Sequence, residues 1–127
     1  MKTHDLLNQV PPLVDINLFS PDTPLNEALE RAGGAWGKEA LVDFGGHVGS
    51  NEMFEHARLA NSHPPTLKSF DRVGKRINAV EFHPSYHALM AASMEAGIHS
   101  QPWADPQAGS MAVRAAKSYL MTQVEAS

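Results

Sequence analysis

The sequence predicts a mainly α domain, with about five helices in an irregular bundle, one small β-hairpin and an extended N-terminal arm. Three observations carry that prediction. Apolar residues recur at helical spacing through most of the chain after residue 24. One Asp-Arg-Val-Gly-Lys turn separates two short β-prone runs. The first 22 residues hold Pro11, Pro12 and Pro21 and few periodic apolar positions. With 127 residues, 43% of them hydrophobic, the chain is long enough to bury roughly two-thirds of its unfolded surface around one core.

Residues 1–22 form the predicted arm and residues 23–127 the helical domain. Leu13, Val14, Ile16, Leu18 and Phe19 are too apolar to stay solvated, so the arm is expected to dock on this domain or on a neighbouring chain. The first helix starts at Thr23-Pro24, where Thr caps free N–H groups and Pro has none to lose. Leu25, Ala28, Leu29 and Ala32 make its apolar stripe, and Gly33-Gly34 ends it, with Trp36 packed as an anchor in the turn that follows. A second helix over Lys38–Val48 turns Leu41, Phe44 and Val48 inward, and Gly45-Gly46 weakens it by about 1 kcal/mol per glycine. Ser50 caps a third, whose inward face is Met53, Phe54, Ala57 and Ala60 until Pro64-Pro65 forbids continuation.

Residues 67–70 and 76–80 flank the turn and form the hairpin, which is expected to lean on helices because two strands alone are marginal in water. His83-Pro84 starts the fourth helix, which carries Tyr86, Leu89, Met90, Ser93 and Met94 to a glycine stop at Gly97. Pro102 and Pro106 then hold the connection open. The last helix begins near Gln107, and Met111, Ala112, Val113, Ala115, Ala116, Tyr119, Leu120, Met121 and Val124 spread over most of its circumference. Such a helix wants cover on nearly all sides, which a small domain rarely supplies at its chain end. Further polypeptide beyond Ser127 is therefore expected, with Leu18, Phe19, Met111, Tyr119 and Leu120 as the interface residues.

Ten basic against fourteen acidic side chains give a net charge of −4, the wrong sign for a nucleic-acid footprint. Zero cysteines exclude disulfides, thiolate metal sites and a cysteine nucleophile. The first residues lack the apolar run of a secretory signal, and no stretch is apolar enough to span a bilayer, so the cytoplasm is the expected location and no membrane partner is expected.

Seven histidines invite a metal hypothesis, and His83 and His87 stand four apart, the spacing of two imidazoles on one helical face. They define the alternative reading, an independent metal- or small-ligand-binding helical protein. Against it, His83 precedes Pro84 at the cap position, and no HExxH motif accompanies the pair. His47, His56 and His63 lie on different elements and are not expected to converge. Gly45-Gly46-His47-Val48-Gly49-Ser50 superficially suggests a phosphate loop, but it has no Lys before the Ser and no preceding apolar strand. Glu27 with Glu30, and Glu52 with Glu55, sit one turn apart on solvated faces, and no GxSxG elbow marks a nucleophile. Arg72, Lys75 and Arg76 form a small basic tip on the hairpin that solvent satisfies. No catalytic, cofactor-binding or metal residue is assigned.

Several segments do resemble a known family. Residues 58–65, reading RLANSHPP, residues 70–77, FDRVGKRI, and residues 80–90, VEFHPSYHALM, are similar to the N-terminal region of AidB-like acyl-CoA dehydrogenases, and the tail from Ala115 to Ser127 continues the match. The resemblance implies flavoproteins built from an N-terminal helical domain, a middle β domain and a C-terminal helical bundle, assembled as homo-oligomers, with FAD in the full-length parent. It also implies that flavin contacts, the catalytic carboxylate and a basic DNA-binding region lie later in the polypeptide, so no such residue falls in this chain. The expected function is an N-terminal structural and assembly domain, not catalytic alone, whose parent is linked to the alkylation-damage response and whose partners are the parent's remaining domains.

Overall fold

The computed structural model describes residues 3–5 and 7–125; Met1, Lys2 and Leu6 of the arm, and Ala126 and Ser127 of the family-like tail, lie outside them. In chain order the elements are α1 (Thr23–Arg31), a 3-10 turn (Ala35–Gly37), α2 (Lys38–Val48), α3 (Asn51–Ser62), β1 (Thr66–Phe70), β2 (Arg76–Glu81), α4 (Pro84–Glu95), α5 (Gln101–Ala104) and α6 (Ser110–Val124). The fold is mainly α with one antiparallel hairpin, as the spacing predicts.

Helix α6 is the axis, packing on α1, α2, α3 and α5. Val113 and Leu120 on it are fully buried, beside Leu41 and Val48 of α2 and Phe19 of the arm in one core cluster. This corrects the expectation for the last helix. Ser110, Val113, Ala116, Lys117, Leu120, Met121 and Val124 are all covered by this chain's own residues, because four helices converge on one. The exposed apolar side chains of α6, Met111, Ala115 and Tyr119, stand at the i, i+4, i+8 spacing of one face. Phe19 and Leu120, two of the expected interface residues, are buried within this domain.

The buried Lys117 ties three helices together. Its Nζ donates to the Ala96 carbonyl after α4 at 2.7 Å and to Gln101 Oε1 on α5 at 2.6 Å. Burial holds its ammonium below the usual lysine range.

The arm explains the glycines of α2. Ile16 N–H donates to the Gly49 carbonyl at 3.3 Å and Leu18 N–H to the Gly45 carbonyl at 3.1 Å, while Asn17 Nδ2 donates to the Val42 carbonyl at 2.7 Å. A Cβ on Gly45 would lie 2.9 Å from the Phe19 nitrogen, and one on Gly49 only 1.8 Å from the Ile16 carbonyl oxygen. Gly45, which costs α2 helix propensity, and Gly49 at its C-cap are thus the seat of the arm.

Three boundaries differ from expectation. Asp22 rather than Thr23 caps α1, its Oδ1 accepting the Leu25 N–H at 3.0 Å, since a carboxylate is the stronger acceptor there. Residues 101–104 form the short α5 instead of an open connection, because Pro102 occupies a first-turn position that needs no N–H. Helix α6 starts at Ser110, not Gln107, because Gly109 has φ +80° and passes so close to Gly33 that a Cβ would sit 2.2 Å from its carbonyl oxygen. Trp36 is half exposed, anchored through an indole N–H donated to the Ala108 carbonyl at 2.9 Å. The hairpin does not gain the expected helical cover, since Leu67, Phe70, Val73, Ile77 and Val80 all stay exposed.

Two predictions follow from this packing. Gly49→Ala should destabilise the domain by about 1–3 kcal/mol by forcing the arm off α2, whereas Gly46→Ala, whose Cβ meets nothing nearer than Asn17 Nδ2 at 3.3 Å, should be neutral or slightly stabilising in urea unfolding. Lys117→Met should cost about 1–3 kcal/mol, because two buried acceptors lose their donor. Because the folded-state pKa of Lys117 lies below its unfolded value, the unfolded chain binds more protons in between, and stability rises with pH as the ordinary lysine range is approached. That rise should shrink in the variant.

Candidate functional site

The register of the hairpin decides which residues meet. Thr66 pairs with Glu81 at its open end, so the chain just before β1 and just after β2 must lie side by side, with α3 and α4 packed against each other behind them. His63 at the end of α3 therefore stacks on His83 at the start of α4, with ring centroids 4.7 Å apart and planes 27° from parallel. Phe82 stacks on Tyr86 at 4.3 Å, and His87 packs edge-on against both. Sequence spacing did not bring His63 to this place, and His56 likewise converges, sharing a 3.0 Å hydrogen bond between its Nδ1 and the Ser85 hydroxyl. The signal was present in the hairpin: a turn centred between residues 70 and 76 folds position 63 back beside position 83.

Behind these rings lies a cleft of about 400 Å³, bounded by Ala60, Leu89, Met90 and Met121, with Asn61, Ser93 and Glu125 as its polar wall groups. Backbone contacts set the imidazole protons. His63 Nδ1 lies 2.9 Å from the Leu59 carbonyl, which can only accept, so the proton is on Nδ1 and Nε2 is an acceptor in the neutral ring. His83 Nδ1 accepts the Ser85 N–H at 3.1 Å as the cap of α4, so its proton is on Nε2, a donor. One stacked pair thus offers one acceptor and one donor beside an apolar floor. That arrangement can hold a group by stacking and hydrogen bonding.

For metal, His83 is committed through Nδ1 to its cap and His87 packs on aromatic rings, and among the described residues no group of three or more His, Asp or Glu converges. The glycine segment that suggests a phosphate loop is filled by the arm, whose Asn17, Phe19 and Ile16 occupy the space an anion would need. Glu30 pairs with Lys38, and Glu55 with Arg58; each carboxyl is held below its ordinary range first by that side-chain hydrogen bond. They are surface ion pairs, not general acids.

A second opening runs between α1 and α6. It is lined by Leu25, Ala28, Ala32, Ala112, Ala115 and Tyr119, and has a volume of about 340 Å³. Tyr119 is 51% exposed there, Met111 on the same stripe of α6 is 55% exposed, and Leu18 is half-buried at the arm.

The structure defines a mainly α domain with one hairpin, its arm seated on a glycine face of α2. The chain belongs to the family of the adaptive response protein AidB N-terminal domain, matched over residues 8–127. It is 40% identical over 126 residues to the acyl-CoA dehydrogenase-like AidB of Escherichia coli (strain K12), spanning 98% of this chain and 23% of that protein. Among solved structures it is similar to Bd2924 in its apo form, with TM-score 0.76 and 26% identity over 91% of this chain and 24% of that one. It shares its fold with Caenorhabditis elegans ACDH-11 in complex with C11-CoA, with TM-score 0.78 and 20% identity over 98% of this chain and 22% of the other. The chain therefore spans about a quarter of the length of the proteins it matches. No helix among the described residues is long and apolar enough to cross a membrane.

His83→Ala should lower stability by about 1 kcal/mol through loss of the α4 cap, and His83→Asn, which can still accept the Ser85 N–H, should restore most of it; urea midpoints of the two variants check this.

Proposed function

We propose that this chain is the N-terminal assembly and scaffold domain of a longer acyl-CoA dehydrogenase-like flavoprotein, acting in the cytoplasm as part of a homo-oligomer and inactive when separated from the rest. The observation that carries the reading is the alanine-floored groove between α1 and α6, lined by Tyr119, with Met111 exposed on the same stripe of α6. Small side chains on its floor let another helix or loop approach closely, and these two large apolar residues stay about half exposed. Leu18, Met111 and Tyr119 are the residues proposed to meet the remainder of the enzyme or a sister subunit.

Kinship with acyl-CoA dehydrogenases supports FAD in the full-length parent, which would supply the redox chemistry. Within this chain the glycine segment is occupied by the arm, and no residue is assigned to the flavin. The family's description supports a tie of the parent to an adaptive response, and the link to alkylation damage is part of the proposal. The alternative of an independent ligand-binding protein built on His83 and His87 has less support, since His83 is spent on its cap.

Size-exclusion chromatography with light scattering and flavin absorbance tests the proposal. The full-length protein should be a yellow oligomer, and Met111→Lys with Tyr119→Lys should reduce its assembly, while the same pair in the 127-residue chain should shift stability by no more than about 0.5 kcal/mol. A yellow, active monomer from the 127-residue chain refutes the reading.

A further inference from the structure

The hairpin has two chemically different faces. Leu67 pairs with Val80, Lys68 with Ala79 and Phe70 with Arg76, so Leu67 and Val80 share one face while Lys68, Phe70 and Arg76 share the other. Between the last two pairs β2 takes one more residue than β1, and Asn78, at φ +46°, marks the bulge. Asn78 Oδ1 accepts from Arg76 Nε at 3.2 Å on that second face, which leaves Ile77 on the first. The second face is internally satisfied: Lys68 Nζ pairs with Glu81 at 2.8 Å, and the Arg76 guanidinium lies over the Phe70 ring at 5.8 Å. The first face carries Leu67, Ile77 and Val80, which remain 62%, 45% and 52% exposed, and no charge.

We propose that this Leu67–Ile77–Val80 face is a docking site for an apolar surface in the remaining part of the parent polypeptide. Three arguments select that occupant. The bulge and the Lys68 side chain oppose strand addition along the edge, so the face is what the hairpin presents. The area on offer is on the order of 200 Å², far short of the roughly 800 Å² per partner that a free complex or a second copy needs. A surface tethered to the same chain meets the face at an effective concentration in the millimolar range and needs no more than this, and the proteins that this chain matches carry about three-quarters of their length outside the matched part. A two-stranded sheet with one apolar face is marginal until something packs on it. The inference rests on the reading that the chain is one domain of a longer protein.

Hydroxyl-radical footprinting of the unmodified full-length protein tests it, with Val73 at the hairpin tip, 74% exposed, as internal reference. Leu67, Ile77 and Val80 should label at least fivefold more slowly than Val73 after correction for side-chain reactivity. In the full-length Ile77→Lys/Val80→Lys variant, amide exchange across β1 and β2 should rise at least tenfold with α3, α4 and α6 unchanged, while Lys68→Gln leaves it as in the parent. Labelling of the three residues at the rate of Val73 overturns the proposal, as does protection that appears only with increasing protein concentration, which would mark a second copy. If Met111 and Tyr119 are protected and the hairpin face is not, the docking site falls and the domain assignment stands. A gene that stops at Ser127 removes the assignment itself.

Discussion

The domain depends on burying one helix. With Val113 and Leu120 sealed from solvent, α6 supplies the surface on which α1, α2, α3 and α5 are arranged, and Lys117 fixes its angle by donating to the loop after α4 and to α5. A lysine in this position is an expensive anchor, because its charge is desolvated and each acceptor must stay in place. The result is directional: hydrophobic contact holds α6 in the core, and hydrogen bonds hold its rotation. That rotation decides which stripe of α6 faces outward, and hence that Met111, Ala115 and Tyr119 stay exposed, with Tyr119 at the open groove.

The arm works by a different economy. Helix propensity argues against Gly45 and Gly46, yet Gly45 and the C-cap Gly49 allow backbone to lie on backbone, with Leu18 donating into the Gly45 carbonyl and Ile16 into that of Gly49. Packing overrides local preference here because the lost propensity is about 1 kcal/mol per glycine, whereas a buried arm gains Phe19 in the core and several hydrogen bonds. The same contact removes the glycine segment from any role in anion binding. Structure and function are thus coupled through the same few ångströms of space.

The histidine and aromatic cluster depends on strand register. A shift of one pair between β1 and β2 would separate His63 from His83 and break the donor and acceptor pairing at the cleft. The hairpin therefore positions the cleft at its base while leaving its own apolar face open.

Much of this was legible in the residues. Helical spacing and caps placed α2, α3 and α4, the Asp71 to Lys75 turn placed the hairpin, and the quoted segments carried the family likeness; these are local features, set by periodicity, capping chemistry and turn conformation over a few residues. What the tertiary structure alone decided was non-local. Phe19 and Leu120 turn inward, α6 is wrapped rather than bare, and His56 and His63 join α4, because those outcomes depend on which elements pack together across tens of residues. Spacing along one helix shows that a side chain is apolar; only the position of its neighbours determines whether it is covered by its own domain or left for another.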